Sequence, residues 1–494
     1  MPVTITIDAG HPGPAVPGDF AGLSFEVGPL IPGNADVAGY LFSPANGSLV
    51  TLFRNLGLGS LRIGGGSVDK RIPAGTGSDG FTGIDNLFAF AAAAGVKVIY
   101  TVRLIRQDVP PIGDLKAVHA QATGHIWRHH REHLASFAIG NEPDWHAYHS
   151  LDPAIFETSE EKPGSAYPSY LTHWRSFADA IGAAVPAAPL SGPDTGAYDR
   201  KTYTPDPDSG VSWTEQLAHD EQGSGRMTEF TQHYYVGDDP GKTTAQQAIS
   251  NMLSPEWVHG TAIGNQPTGT TYIPYPWLYA NNLAPVVAAG LRYRLTESND
   301  YLFGVPGGSD AYASALWALD HLHWWAAHGA AGVNFHNKQW LRTGTIVPDP
   351  AGGGGYAVTP KGYGIKAFTL GSAGRVKPVQ IQNPDGINLT AYCVGTAGED
   401  CVTIINKAHG AGARDAAVTI VAPGPGLRRV QVITLAGGQP GDARGTRATL
   451  GGAAITGDTP WDGRWSALPA DPRGGVSLTV KATTAAIVKI HRGG

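Results

Sequence analysis

Two short stretches hold the residues best suited to chemistry. Residues 138–146 read AIGNEPDWH: an apolar run ends in Gly140 and delivers Asn141 and Glu142 into a loop stopped by Pro143. Residues 295–300 read LTESND and set Glu297 at the end of another strand-like run. Two facing carboxylates are the equipment for cleaving a glycosidic bond. One, protonated, donates to the leaving oxygen; the other, ionised, attacks the anomeric carbon. Differing burial and neighbours can push their pKa values apart. A lone glutamate at a strand end is most often a surface or capping residue, so the inference rests on the pair and on the Asn-Glu-Pro setting of its first member. Tyr234 or Tyr235 can donate a hydrogen bond to Glu297 and keep it anionic. Asn141 can hold a sugar 2-hydroxyl, a contact that strengthens as oxocarbenium character develops.

A pair so distant in sequence needs a scaffold that makes it converge. From about residue 20 to 365, strand-like and helix-like segments alternate. Strands are expected at 21–27, 59–67, 96–104, 135–142, 188–194, 227–236, 291–298 and 331–338, and helices at 84–95, 167–184, 245–253 and 309–329. The last helix has the strongest signal, with Ser309 as its N-cap, apolar residues recurring at three and four, and Gly329 at its end. Eight strands alternating with helices point to an α/β fold, a (β/α)8 TIM barrel over 16–365. From residue 366 to 494, short β-branched runs such as GINLTAYCV, CVTIINKA and RVQVITLA alternate with Gly/Pro turns, the texture of a C-terminal all-β sandwich. VTITIDAG near the start shares that texture, so residues 1–15 are expected to add a strand to the sandwich.

In a (β/α)8 barrel the active site lies at the C-terminal ends of the strands. Strands four and seven, which carry Glu142 and Glu297, face each other across the mouth. Other polar strand ends become candidate substrate contacts: Glu26 on strand one, Arg62 on strand two, Tyr234 and Tyr235 on strand six, Tyr301 beyond strand seven, and His336, Asn337, Lys338 and Trp340 on strand eight. Trp145, with His146, Tyr148 and the cluster YIPYPWLYANN at 272–282, is expected in mouth loops, where sugar stacking and ordinary packing are both open. RIGGGS at 62–67 lacks the lysine and spacing of a phosphate loop and reads as a tight turn or a close backbone approach to a ligand. His129, His130 and His133 read as a solvated helix face rather than metal ligands; His321 and His323 point apart on their helix, and Trp324 and Trp325 read as packing. No metal or organic cofactor is expected, because acid–base cleavage by two carboxylates needs neither.

Composition narrows the partners. The chain has 494 residues, 42% hydrophobic and only 15% charged, with 67 glycines and 37 prolines; the apolar runs between turns argue for a packed core over disorder. A net charge of −6 with no basic block speaks against nucleic acid and anionic membranes. No apolar run reaches the roughly 18 residues of a membrane span. The expected partner is a carbohydrate, a β-glycoside substrate; nothing in the sequence speaks to oligomeric state. MPVTITIDAG lacks the basic-then-apolar order of a secretory signal, which fits a cytosolic chain or the mature form of an exported one. Cys393 and Cys401 flank the hairpin-like VGTAGED, so a disulfide and two free thiols are both open.

Taken together, these stretches resemble the β-glucuronidase and heparanase family, glycoside hydrolase family 79, within the clan of retaining barrel glycosidases. The resemblance spans most of the chain. LRIGGGS (61–67) is similar to the family's segment after strand two, and IGNEPD (139–144) to its acid/base motif. SGPD (191–194) and QHYY (232–235) resemble the ends of its strands five and six, and TES followed by SDAYASALWALD resembles its nucleophile strand and next helix. KGYGIKAF (361–368) is similar to its last barrel helix and VTIINK to a strand of its β domain. The resemblance implies retaining hydrolysis of a β-linked sugar, often glucuronic acid, with Glu142 as acid/base and Glu297 as nucleophile. In the family, a tyrosine and glycine-rich backbone near strands seven and eight receive the uronate carboxylate. Here the loop SNDYLFGVPGG has Tyr301 without a following glycine run, strand eight gives HNKQW, and a glycine run with a tyrosine comes later, at Gly352–Tyr356. Lys338 can pair with a uronate or hydrogen-bond a neutral sugar such as a glucoside or xyloside. Both substrate classes stay open, as does a barrel that binds carbohydrate without cleaving it.

Overall fold

The computed structural model describes residues 1–30, 39–69, 80–104, 115–144, 167–196, 212–237, 241–262, 264–265, 271–337, 342–350, 355–422, 427–469 and 475–492. Eight strands form a closed barrel, each parallel to its neighbours: Ala21–Glu26, Ser60–Gly64, Lys97–Val102, Leu134–Ile139, Leu190–Thr195, Met227–Gly237, Tyr293–Tyr301 and Val333–His336. Their residues are buried on both faces, as parallel strands wrapped by helices require. Helix Tyr167–Ala184 shows how the outer layer is fixed: Tyr170, Trp174, Phe177, Ala178 and Ile181 recur at three and four and are buried.

Helix Ala313–Ala327 is buried nearly all round, because it also meets helix Pro360–Gly371 and strand Leu389–Gly395 of the β domain. The expected N-cap at Ser309 is a different device. The helix begins at Ala313, and Ser309 Oγ instead accepts the Val305 N–H at 2.9 Å, closing the turn that precedes it. The N-terminal end of the barrel is closed by Arg294, which donates to Glu229 at 2.6 Å, to Asp19 at 3.0 Å and to the Ala331 carbonyl at 3.1 Å.

After the barrel the chain builds two sheets. One runs Val379–Gln382, Val3–Ile7, Ala416–Val421, Gly475–Val480, so the N-terminal strand lies between two strands from far down the chain. The larger sheet contains Gly374–Lys377, Leu389–Gly395, Glu399–Asn406, Thr484–Arg492 and Leu427–Ala436. Val3, Ile5, Val402, Ile404, Val418, Ile420, Val488 and Ile490 form the core between them, while Ile405, Ile433, Ala485 and Ile487 on the other face join the barrel core. This is the C-terminal β sandwich. Cys393 pairs with Val402 and Cys401 with Val394, an offset of one residue that turns the two side chains to opposite faces; both are buried free thiols. Among the described residues no helix is long and apolar enough to cross a membrane.

Candidate active site

Strand alternation decides which side chains reach the barrel mouth. On strand six His233 and Tyr235 share one face and Tyr234 takes the other. Tyr235 donates its hydroxyl proton to Glu297 Oε1 at 2.7 Å, and His233 Nδ1 lies 2.8 Å from Glu142 Oε1. From strand two, Arg62 Nη1 donates to Glu297 Oε2 at 2.7 Å and to Ser24 at 3.2 Å; its Nη2 donates to Asn141 Oδ1 and Asp194 Oδ2, both at 2.8 Å. Strand seven slips register against both neighbours just after Leu295. This irregularity lets Thr296 and Glu297 both serve the interior, where Thr296 Oγ1 donates to Asp194 Oδ1 at 2.5 Å. One carboxylate oxygen each from Glu142 and Glu297, and a ring nitrogen of His233, lie within 4.8 Å of one another.

The backbone that presents Glu142 is unusual. Glu142 and Asp194 have φ of +48° and +53°, a region residues with a Cβ seldom occupy. Glu142 N–H donates to the Asp194 carbonyl at 2.8 Å, and Asp194 N–H donates to Thr231 Oγ1 at 2.9 Å. Such conformations cost about 1–3 kcal/mol each, persist only where neighbours over-determine them, and cluster at functional sites. Two residues on, Asp144 Oδ1 accepts the Gly196 N–H at 2.8 Å, which ties the loop after strand four to the end of strand five.

The charges are buried and therefore felt strongly. Burial alone would raise the Glu297 carboxyl; the positive His336, His233 and Arg62 outweigh it, with the Tyr235 hydrogen bond, and hold it down to about 2. Burial opposes a charge on His233, but Glu297, Asp194 and Glu142 outweigh it and raise the ring to about 9. Asp194 is held far below the usual carboxylate range despite burial, chiefly by Arg62. Burial pushes Asp144 up to about 7, against the Gly196 hydrogen bond and with help from the Glu142 charge. His336 stands between two carboxylates, its Nδ1 3.7 Å from Glu297 and its Nε2 3.6 Å from Glu26. Burial works against its charge and the two glutamates raise it. The Glu26 carboxylate also accepts the Ser67 N–H at 2.8 Å and lies against Gly65, whose φ of +71° makes the tight turn of the RIGGGS segment.

The structure brings Glu142, Glu297, Asn141, Tyr235, His336 and Glu26 together at the mouth. Four expected contacts lie elsewhere or act otherwise. Arg62 is fully buried beneath the carboxylates and holds side chains instead of meeting a sugar. Tyr234 points outward, donates to the Ile273 carbonyl at 2.8 Å and packs among Trp257, Tyr275 and Trp325. Tyr301 reaches away to the helix Ala245–Met252, where its hydroxyl accepts from Asn251 at 2.8 Å. Asn337 braces the turn after strand eight, accepting from Thr345 and Ile346 N–H at 2.6 and 2.7 Å. Lys338, Trp340 and Trp145 lie outside the described residues, as do His146 and Tyr148. In the 272–282 cluster, Tyr275 is buried against Trp324 and Trp325, so its role is packing.

Three residues of the site had no role assigned from the sequence: His233, which stands at the polar end of strand six, Asp194 and Asp144. His233 was legible, because His-x-Tyr on a strand puts both rings on one face. Asp194 and Asp144 carry no local signal that separates them from loop carboxylates. Glu142, His233 and Glu297 have the spacing of metal ligands, but the fit is poor. Both Glu297 oxygens already accept from Arg62 and Tyr235.

No protein-family model matches the sequence, and no curated protein is detectably similar to it. Solved structures share its fold along the whole chain. A 4-O-α-L-rhamnosyl-β-D-glucuronidase from Fusarium oxysporum 12S superposes with a TM-score of 0.69 at 16% identity, covering 98% of this chain and 99% of that one. A GH51 arabinofuranosidase from Xanthomonas axonopodis pv. citri gives 0.66 at 15% identity over 99% and 100% of the two chains. A GH30 endoxylanase from Clostridium papyrosolvens C71 gives 0.56 at 12% identity, again over 99% and 100%. At these identities the likeness is one of fold.

Proposed function

We propose that the chain is a retaining β-glycoside hydrolase, with Glu297 as nucleophile, Glu142 as acid/base, and a β-glucuronide as its substrate. The observation that carries this reading is that an oxygen of Glu142 and an oxygen of Glu297 lie within 4.8 Å of each other across the mouth. Retaining enzymes hold their two carboxyl groups about 5–5.5 Å apart, whereas inverting ones leave about 6.5–9.5 Å for a water. Glu297, kept anionic by Arg62 and Tyr235, attacks the anomeric carbon as the glycosidic bond breaks. In its protonated form Glu142 gives its proton to the departing oxygen, while His233 holds Oε1 in place. The same carboxylate then takes a proton from water, whose oxygen displaces Glu297. Asn141, held by Arg62 through Oδ1, offers its amide N–H to the sugar 2-hydroxyl.

The glucuronide reading is supported by the family-79-like motifs and by the fold shared with a glucuronidase. One observation favours a neutral β-glucoside or β-xyloside: Arg62, His233 and His336 each already face a glutamate or aspartate, and Glu26 adds negative charge. A panel of nitrophenyl β-glycosides decides between them. Uronide cleavage that is lost in Lys338→Ala supports a carboxylate partner there; cleavage of neutral glycosides only removes the glucuronide. Glu297→Gln is expected to lower kcat by about a thousandfold or more. Glu142→Ala is expected to recover turnover of the nitrophenyl substrate with azide, which replaces the water that Glu142 would activate. Full activity in Glu297→Gln overturns the mechanism, and glycan binding without turnover across the panel points to a non-catalytic barrel.

A further inference from the structure

On the outside of the barrel, two helices build a second cluster of ligand-type side chains, apart from the mouth residues. Asp85 lies in the first turn of helix Thr82–Ala94; His125 and His130 lie on helix Leu115–His130. The Nε2 atoms of both rings converge on one oxygen: His125 is 2.6 Å and His130 is 2.7 Å from Asp85 Oδ1. Two imidazoles aimed at a single carboxylate oxygen is more convergence than a solvated helix face needs. The rings are also held from behind. His125 stacks on Phe81 at 4.2 Å between centroids and 18° between planes, and His130 stacks on Phe88 at 5.0 Å and 10°. Stacking fixes ring orientation, which a ligand site needs before an ion arrives. The His side chains are 15% and 20% exposed and Asp85 50%, so one side stays open to water. His129, exposed, has its ring 4.8 Å from that of His125 and can supply a fourth donor.

We propose that Asp85, His125 and His130 form a binding site for a divalent transition cation of the zinc class, pinning the two helices together. Two imidazoles and one carboxylate are borderline donors that suit Zn2+, and also Cu2+ and Ni2+, whereas Mg2+ and Ca2+ take oxygen donors. Donors about 2.0–2.2 Å from a tetrahedral ion sit roughly 3.3 Å from each other. The two hydrogen-bonded edges must therefore open by about 0.6 Å, a slide that rings lying flat on phenyl faces accommodate. On binding, each ring carries its single proton on Nδ1 and turns the Nε2 lone pair to the ion, which takes the place of the two hydrogen bonds to Asp85. The hydrolytic mouth uses none of these residues.

The test is Zn2+ titration of the full chain by calorimetry, with Mg2+ as control, alongside melting curves with and without Zn2+. Three proteins are compared: wild type, His125→Gln/His130→Gln, and Glu142→Gln/Glu297→Gln, which disables the ligand-like cluster at the mouth. Wild type and the mouth variant are expected to bind Zn2+ alike and to melt higher with it. The double-histidine variant should bind at least about tenfold more weakly, show no Zn2+-dependent rise and keep wild-type glycoside turnover. If that variant does not fold, Asp85→Asn at its half-exposed position carries the same comparison. Equal Zn2+ affinity with and without the histidines overturns the proposal. So does wild type that takes up no Zn2+ at about 100 µM free metal.

Discussion

Glu297 is held from three sides in the mouth: Tyr235 holds one oxygen, Arg62 the other, and His336 stands 3.7 Å away. That support holds the proposed nucleophile ionised and aimed, and its parts can be weighed one at a time. Tyr235→Phe removes one hydrogen bond to a charged oxygen, about 1.5–3 kcal/mol, and should lower kcat/KM about ten- to hundredfold in steady-state assays with little change in melting temperature. Asp144 is a titration experiment in itself. Its folded pKa, about 7, lies above the ordinary aspartate value, so the folded state holds the proton more tightly than the unfolded chain. The stability this gives is present at low pH and is lost as pH rises from the ordinary range through about 7. Asp144→Asn keeps the Gly196 hydrogen bond and removes the charge. Melting curves from pH 5 to 8 should show wild type losing roughly 2 kcal/mol that the variant retains. Parallel pH profiles for the two would contradict a neutral Asp144.

At the scale of elements, the site is a consequence of strand periodicity. Alternating strand-like and helix-like runs were enough to read the barrel, and Glu142 and Glu297 were legible because each sits at the C-terminal end of a strand. The finer choices needed the period of two. His233 and Tyr235 face in, so Tyr234 has to face out into the helix layer, where it donates to Ile273. Thr296 and Glu297 break that rule only through a register slip that no residue pattern announces. Arg62 was read as a sugar contact because a cation at a strand end suggests a ligand, yet burial under three acidic or amide partners makes it a brace. The Asp85–His125–His130 cluster escaped reading for another reason: its members come from two helices, and only the packing of those helices joins them. The turn after strand two offers a test at this scale. A Cβ on Gly65 would lie 2.7 Å from the Glu26 carboxyl, at a φ of +71°. Gly65→Ala should therefore destabilise by about 1–3 kcal/mol and raise KM by displacing Glu26, as thermal melts and saturation kinetics would show.

Across the whole molecule, the β sandwich is fastened to the barrel through polar contacts as well as apolar ones. Asp320, inside the buried helix, accepts from Thr390 at 2.8 Å, Tyr392 at 2.7 Å and Lys407 at 2.6 Å, all three from the larger sheet or its edge. Lys407 is 1% exposed, so Asp320→Asn leaves a buried ammonium without its counter-charge. A loss of about 3–5 kcal/mol is expected, visible in denaturant unfolding, with kcat of the folded enzyme unchanged. The sandwich thus braces the scaffold that brings strands four and seven together. What that scaffold does is decided most directly by the configuration of the first sugar released. With the best nitrophenyl β-glycoside of the panel, proton NMR during the first turnovers should show the β-anomer appearing first and mutarotating later. An α-anomer appearing first would contradict attack by Glu297 and the double displacement built on it.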